Sequence, residues 1–128
     1  MRLLIDTHVI IWWVMAPDTL SKTVDDLLLD PATQVLVSPV SAFEISRKCG
    51  LGKLTFDQAF IADFDLRIRA LSWLELPLTN AHAVAAGRLG GSHKDPFDRM
   101  LAAQAIVEGL TVATRDPAIA ALGAKVVW

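Results

Sequence analysis

Five carboxylates in this chain stand where a strand-like run gives way to a helix-like one. Asp6 ends Leu3-Leu4-Ile5, Glu44 lies in the first turns of the helix after Gln34-Val35-Leu36-Val37, and Asp116 closes Thr114-Arg115-Asp116 after Leu110-Thr111-Val112-Ala113. Asp95 and Asp98 open a helix in Asp95-Pro96-Phe97-Asp98-Arg99. Each has a local explanation as well. Asp95 and Asp116 precede prolines and suit N-caps, Asp98 suits the acidic third position, and Ser41-Ala42-Phe43-Glu44 fits a capping box. Asp6 is harder to explain that way, because a carboxylate directly after an all-apolar strand start is costly without a partner.

The set matters more than its members. Four carboxylates within about 6 Å of one another form six repulsive pairs, each worth about 3 kcal/mol at an effective dielectric of 20. Their total, about 17 kcal/mol, exceeds the ~5–15 kcal/mol that holds a typical domain together. Convergence therefore requires protons or a cation. Oxygen ligands with one cysteine and few histidines select a hard ion, Mg²⁺ or Mn²⁺ rather than zinc. Such an ion activates water and stabilises charge on a phosphodiester, which points to hydrolysis of RNA or DNA.

The elements that must position these acids alternate. Strand-like runs fall at 3–5, 34–37, 74–78, 110–113 and 125–128, the third interrupted by Pro77. Helical periodicity covers 21–29, 41–49, 56–71, 81–89 and 96–109, with Gly109 as a C-terminal stop. Continuous apolar strands alternating with helices predict an α/β fold with a mostly parallel central sheet of four to five short strands, flanked by helices in three layers. In such a sheet ligands bind at the carboxyl ends of the strands, where the acids sit.

The chain has 128 residues, 53% of them apolar and 20% charged, a balance that excludes disorder and predicts one domain spanning 1–128. The longest uncharged stretch, Pro31 to Phe43, is too short to span a bilayer. No signal-peptide pattern follows Arg2, so a cytoplasmic location is expected. Cys49 is alone and reads as a small core residue. The net charge of −2 gives no global attraction to nucleic acid, yet setting aside four site acids leaves +2. The four would then be balanced by metal rather than by lysines. A mean hydropathy of +0.43 leaves apolar side chains to be accounted for, and a partner surface is the first expectation.

Leu-Leu-Ile-Asp-Thr-His at the start, Ser38 through Ile45, Gly52-Lys53-Leu54, His93 through Ala105 and Thr114-Arg115-Asp116 together resemble a PIN domain of the VapC toxin type over essentially the whole chain. The resemblance implies that Asp6, Glu44, Asp98 and Asp116 hold Mg²⁺ and cut RNA. It prefers Asp98 over Asp95, because Asp98 begins the Asp-Arg-Met-Leu-Ala-Ala-Gln-Ala string, and leaves Asp95 as a cap or supporting residue. It also implies a cognate antitoxin that binds the enzyme and blocks the site. A homodimer is expected. The alternatives are a PIN-like RNA-processing nuclease without an antitoxin and, from another class, a non-catalytic receiver or interaction module, which would want paired acids after the first strand.

Thr114, Arg47, Lys48, Arg99 and Arg115 are the further candidates around the site. Arg47 and Lys48 share the helix face of Glu44, either as ion-pair partners or as contacts to the RNA backbone. Arg99 and Arg115 adjoin proposed ligands and are candidates to steer phosphate. His8 reads as a local hydrogen-bonding residue, and His93 lies in a Gly-Gly-Ser-His-Lys loop able to approach substrate. Ile10-Ile11-Trp12-Trp13-Val14 is apolar on every side of a helix, so Ile10, Trp12, Trp13 and Val14 are candidates for an antitoxin or dimer surface. Phe43, Phe60 and Phe64 are assigned to the core.

Overall fold

The structure is a computed structural model describing residues 1–128. Strand β1 (Arg2–Ile5) runs between β2 (Gln34–Val37) and β4 (Thr111–Ala113), with β3 (Leu74–Glu75) and β5 (Lys125–Val127) outside them. All four pairings are parallel, and the order is β3-β2-β1-β4-β5. Strand alternation feeds two cores. Leu3, Ile5, Val35 and Val37 face one side, while Leu4, Leu36 and Val112 face the other. The first side is covered by α1 (Thr7–Met15), α2 (Lys22–Leu29), α4 (Gln58–Ala62) and α5 (Phe64–Ala70). The second is covered by α7 (Pro96–Glu108) and α8 (Pro117–Ala121), and α6 (Asn80–Arg88) packs on α7. Helix α3 (Pro39–Gly50) gives Ile45 to the first core and Val40 to the second. This is the three-layer α/β arrangement expected from the alternating pattern.

Four local expectations are corrected. The 56–71 segment is two helices, because Asp63 leaves helical geometry at φ −123° and ψ 46°. Its apolar face survives the break, with Phe56, Phe60 and Ile68 buried and the Phe56, Phe60 and Phe64 rings stacked edge to face. Helix α3 starts at Pro39 under a Ser38 cap, whose Oγ accepts the Val40 N–H at 3.1 Å, so the Ser41-to-Glu44 capping box does not form. Ser41 instead accepts the buried Thr7 hydroxyl at 2.9 Å, tying α3 to α1. Strand β3 is only two residues long, since Pro77 removes a donor; Leu76 N–H still reaches the Val37 carbonyl at 2.8 Å. Phe43 is 55% exposed rather than core.

The apolar helix is also largely accounted for within the chain. Ile10 is wholly buried with Val9 and Ile11 against the sheet, so it offers no contact surface. Trp12, Trp13 and Val14 are half-buried against the same core, Trp13 lying 5.7 Å from the Trp73 ring and Trp12 5.7 Å from the Trp128 ring. Apolar exposure is greater elsewhere, at Leu29, Leu66, Phe43 and Val84. No helix is long and apolar enough to cross a membrane.

Helix α6 is joined to α7 by His82, which is 1% exposed. Its Nδ1 accepts the Thr79 N–H at 3.0 Å, which leaves Nε2–H to donate to Glu108 at 2.8 Å. His82→Ala should lower stability by about 2–4 kcal/mol, through a cavity, a lost cap and a lost charge-assisted bond. A urea midpoint measurement checks this; an unchanged midpoint would show that the histidine does not tie the two helices.

Candidate active site

The strand order reverses direction between β1 and β4, which opens a crevice at their carboxyl ends. Asp6 leaves β1 into that crevice and Thr114 to Asp116 leave β4 beside it. Asp6 is 6% exposed and caps α1: its Oδ1 accepts the His8 N–H at 2.6 Å and its Oδ2 accepts the Thr114 hydroxyl. The Thr114 Oγ1 also accepts the Asp116 N–H at 3.0 Å, so one hydroxyl links the acids of two adjacent strands. Asp116 caps α8 through the Ala118 N–H at 2.9 Å.

Asp98 enters from α7. Its Oδ2 lies 2.7 Å from His93 Nε2. Burial raises the Asp98 carboxyl above its usual value, the His93 bond opposes that, and the Asp95 and Asp116 charges raise it further. Asp98 and Asp116 thus share one electrostatic field. Asp95 caps α7, its Oδ1 accepting the Phe97 and Asp98 N–H groups at 2.9 and 3.4 Å. Glu44 pairs through Oε2 with Lys48 at 2.7 Å. His8, whose Nδ1 is 3.6 Å from Asp6 Oδ1, is raised above its ordinary value by the Asp6 carboxylate against burial, and it feels Glu44 and Lys48 as well. The Thr7–Ser41 hydrogen bond sets α3, which carries the Glu44–Lys48 pair, beside the start of α1.

Asp6 and Asp116 line one cleft, Asp98 lies on α7 within the field of Asp116, and Glu44 stands on α3, which is tied to α1; the four do not close on a single point. No three of them bring ligand atoms as near to one another as His93, Asp95 and Asp98, whose donor atoms lie within 4.8 Å. Each of the four is committed to a local partner, and Lys48 offsets part of the charge at Glu44. That corrects the expectation that metal alone balances it. A hard cation still fits the donor set. Asp6, Glu44, Asp98 and Asp116 offer only carboxylate oxygens, and Glu44 Oε1 and Asp98 Oδ1 have no protein partner.

The basic candidates divide sharply. Arg99 donates to the carbonyls of Ala86 at 3.1 Å, His93 at 2.9 Å and Leu89, so its guanidinium fastens the loop that carries His93 rather than facing phosphate. Arg47 is exposed on α3 and Lys48 is engaged by Glu44. Arg115 makes no ion pair; its Cζ lies 4.4 Å from the Trp12 ring centroid and 5.9 Å from that of Trp128. Asp6, His8, Val9, Trp12, Arg115 and Asp116 line a cleft of about 280 Å³. A larger one of about 490 Å³, between α3 and α5, contains none of the candidate acids. Sequence reasoning underrated His93 and missed Trp128, because a loop partner and a chain-terminal contact leave no periodic signal.

Comparison with known proteins agrees with this geometry. The PIN domain family matches residues 3–125. The chain is 30% identical over 125 residues to ribonuclease VapC22 of Mycobacterium tuberculosis, covering 88% of this chain and 85% of that one. In fold it is similar to a chain of VapBC2 from Rickettsia felis bound to a DNA fragment from its promoter, with a TM-score of 0.72, 15% identity and 99% and 98% of the two chains covered. A chain of VapBC-1 from nontypeable Haemophilus influenzae gives a TM-score of 0.67 at 14% identity over 99% and 97%. The receiver alternative is thereby removed. A family match spanning residues 3–125 and 30% identity over 125 residues to a VapC ribonuclease show that this chain belongs to the PIN-domain family and is a relative of the VapC ribonucleases.

Proposed function

We propose that the chain is a divalent-metal-dependent endoribonuclease and the toxin of a toxin–antitoxin pair, acting as a homodimer. The observation that carries the proposal is the buried Asp6, held by Thr114 beside Asp116 and across from Asp98 at the switch point of the sheet. The ribonuclease name of the relative at 30% identity supports the reaction class, and the VapBC names of the structural neighbours support the antitoxin.

Asp6, Asp98, Asp116 and Glu44 would hold Mg²⁺ or Mn²⁺, which when bound lowers the pKa of water and neutralises charge on a phosphodiester. The protein's own contribution is positional. Thr114 and the His8 amide fix both oxygens of Asp6, so its carboxylate does not reorganise when a phosphate arrives. Glu44 keeps Oε1 free to orient a water and take its proton as the oxygen attacks phosphorus. The bond to the ribose oxygen opposite then breaks and that oxygen is protonated. Arg99 ties the loop that follows α6 to the end of that helix, and with it holds His93 against Asp98.

Excess EDTA should abolish cleavage of total RNA, and added Mg²⁺ or Mn²⁺ should restore it. Full cleavage in EDTA would overturn the metal dependence. Expression should arrest growth, with relief by a small protein encoded beside it; harmless expression of the active enzyme would remove the toxin role and leave the nuclease.

A further inference from the structure

Arg115 is adjacent in sequence to Asp116 and lines the same cleft as Asp6, yet it pairs with neither. Its guanidinium lies over Trp12 with Trp128 beside it, and the two indoles meet edge to face at 67°. That placement keeps the cation away from the chain's own carboxylates. The planar fork, with its N–H donors unused, is the group best suited to take phosphate oxygens in a bidentate manner. Of the other candidate cations, Lys48 is held by Glu44, Arg99 by three carbonyls, and Arg47 does not line the cleft. The cleft has about the volume of a small-ligand site and is walled by the His8 and Trp12 rings, 5.4 Å apart. It suits one nucleotide rather than the width of a duplex.

Resting on the ribonuclease reading above, we infer that this cleft is a subsite for one nucleotide of an unpaired RNA strand next to the scissile bond. Arg115 takes that nucleotide's phosphate, and Trp12 and Trp128 present the guanidinium to it. Arg115 is a positioning residue for substrate, and Trp12 acts through it.

The test is binding of a labelled single-stranded RNA oligonucleotide at several salt concentrations, in an Asp98→Asn background with EDTA present to suppress the cleavage that remains. Adding Arg115→Ala should raise Kd about tenfold and reduce the slope of log K against log salt by about 0.7, the value of one phosphate contact on a single strand. Arg115→Lys should recover the slope but only part of the affinity, because lysine lacks the fork and the stack. Trp12→Leu, with folding checked by circular dichroism, should weaken binding and lower the slope as the guanidinium collapses toward Asp116. Duplex RNA of the same sequence should compete at least tenfold less well. An unchanged Kd and slope in Arg115→Ala, equal competition by duplex, or a loss confined to antitoxin binding would overturn the subsite. If the wild-type chain neither binds nor cuts RNA, it is the ribonuclease reading that fails; if it cuts and Arg115→Ala behaves like wild type, only the subsite fails.

Discussion

Asp6→Asn is expected to reduce RNA cleavage about a thousandfold while leaving the fold intact, on the scale seen when one preorganised charged group is removed from a reacting centre. Asparagine keeps the carbonyl oxygen that accepts the His8 N–H and is as good an N-cap as aspartate, while its NH2 must donate to Thr114 Oγ1 where Oδ2 accepted, so stability should fall by about 1–2 kcal/mol with the fold kept. What it removes is the negative charge between His8 and Thr114. Asp6→Ala provides the contrast: it loses the cap and strands the buried Thr114 hydroxyl, costing about 2–3 kcal/mol. Turnover of a defined RNA together with thermal melting separates the two effects. Undiminished cleavage by a folded Asp6→Asn variant would sink the assignment of this site.

Asp98→Asn should show opposite signs in two measurements. Cleavage should fall at least about a hundredfold, because a proposed ligand is lost. The melting temperature without metal should rise, because burial and the Asp95 and Asp116 charges disfavour the ionised carboxylate in the folded chain. A carboxyl raised on folding stabilises the protein below its ordinary unfolded pKa, and that contribution is lost as pH climbs through the raised folded value. Metal-free wild type should therefore lose stability from the ordinary carboxylate range upward, and the asparagine variant should lose less. Mg²⁺ should stabilise wild type more than the variant. A variant that melts lower than wild type at neutral pH would show that the His93 bond outweighs the crowding.

The sheet was legible because a strand buried on both faces must be apolar throughout, and Leu3-Leu4-Ile5 and Val35-Leu36-Val37 admit no other reading. The acids were legible because strand ends are where carboxylates must either cap or coordinate; Asp6, Asp95 and Asp116 do cap. Glu44 lies in the expected helix, but that helix begins three residues earlier than the capping-box pattern suggests, because Pro39 sets the first turn under Ser38. Side-chain commitments were not legible. Arg99 and Arg115 look alike in sequence, each beside a proposed ligand, and only the end of α6 with the loop after it, and the two tryptophans, decide that one ties backbone while the other is left free. The apolar helix misled for a related reason: Trp73 and Trp128, distant in the chain, cover much of what periodicity leaves bare.

The hydrogen bond between Thr114 and Asp6 joins residues 108 positions apart, and Ile5 pairs with Ala113 across the same gap. During synthesis the first strand emerges long before its partner exists, so the crevice cannot assemble until residues through Asp116 have left the ribosome. Folding of such non-local parallel pairings is slow compared with local helix formation. On the ribonuclease reading proposed above, the nascent chain is therefore inactive until β4 docks beside β1, so activity is tied to completion of the fold.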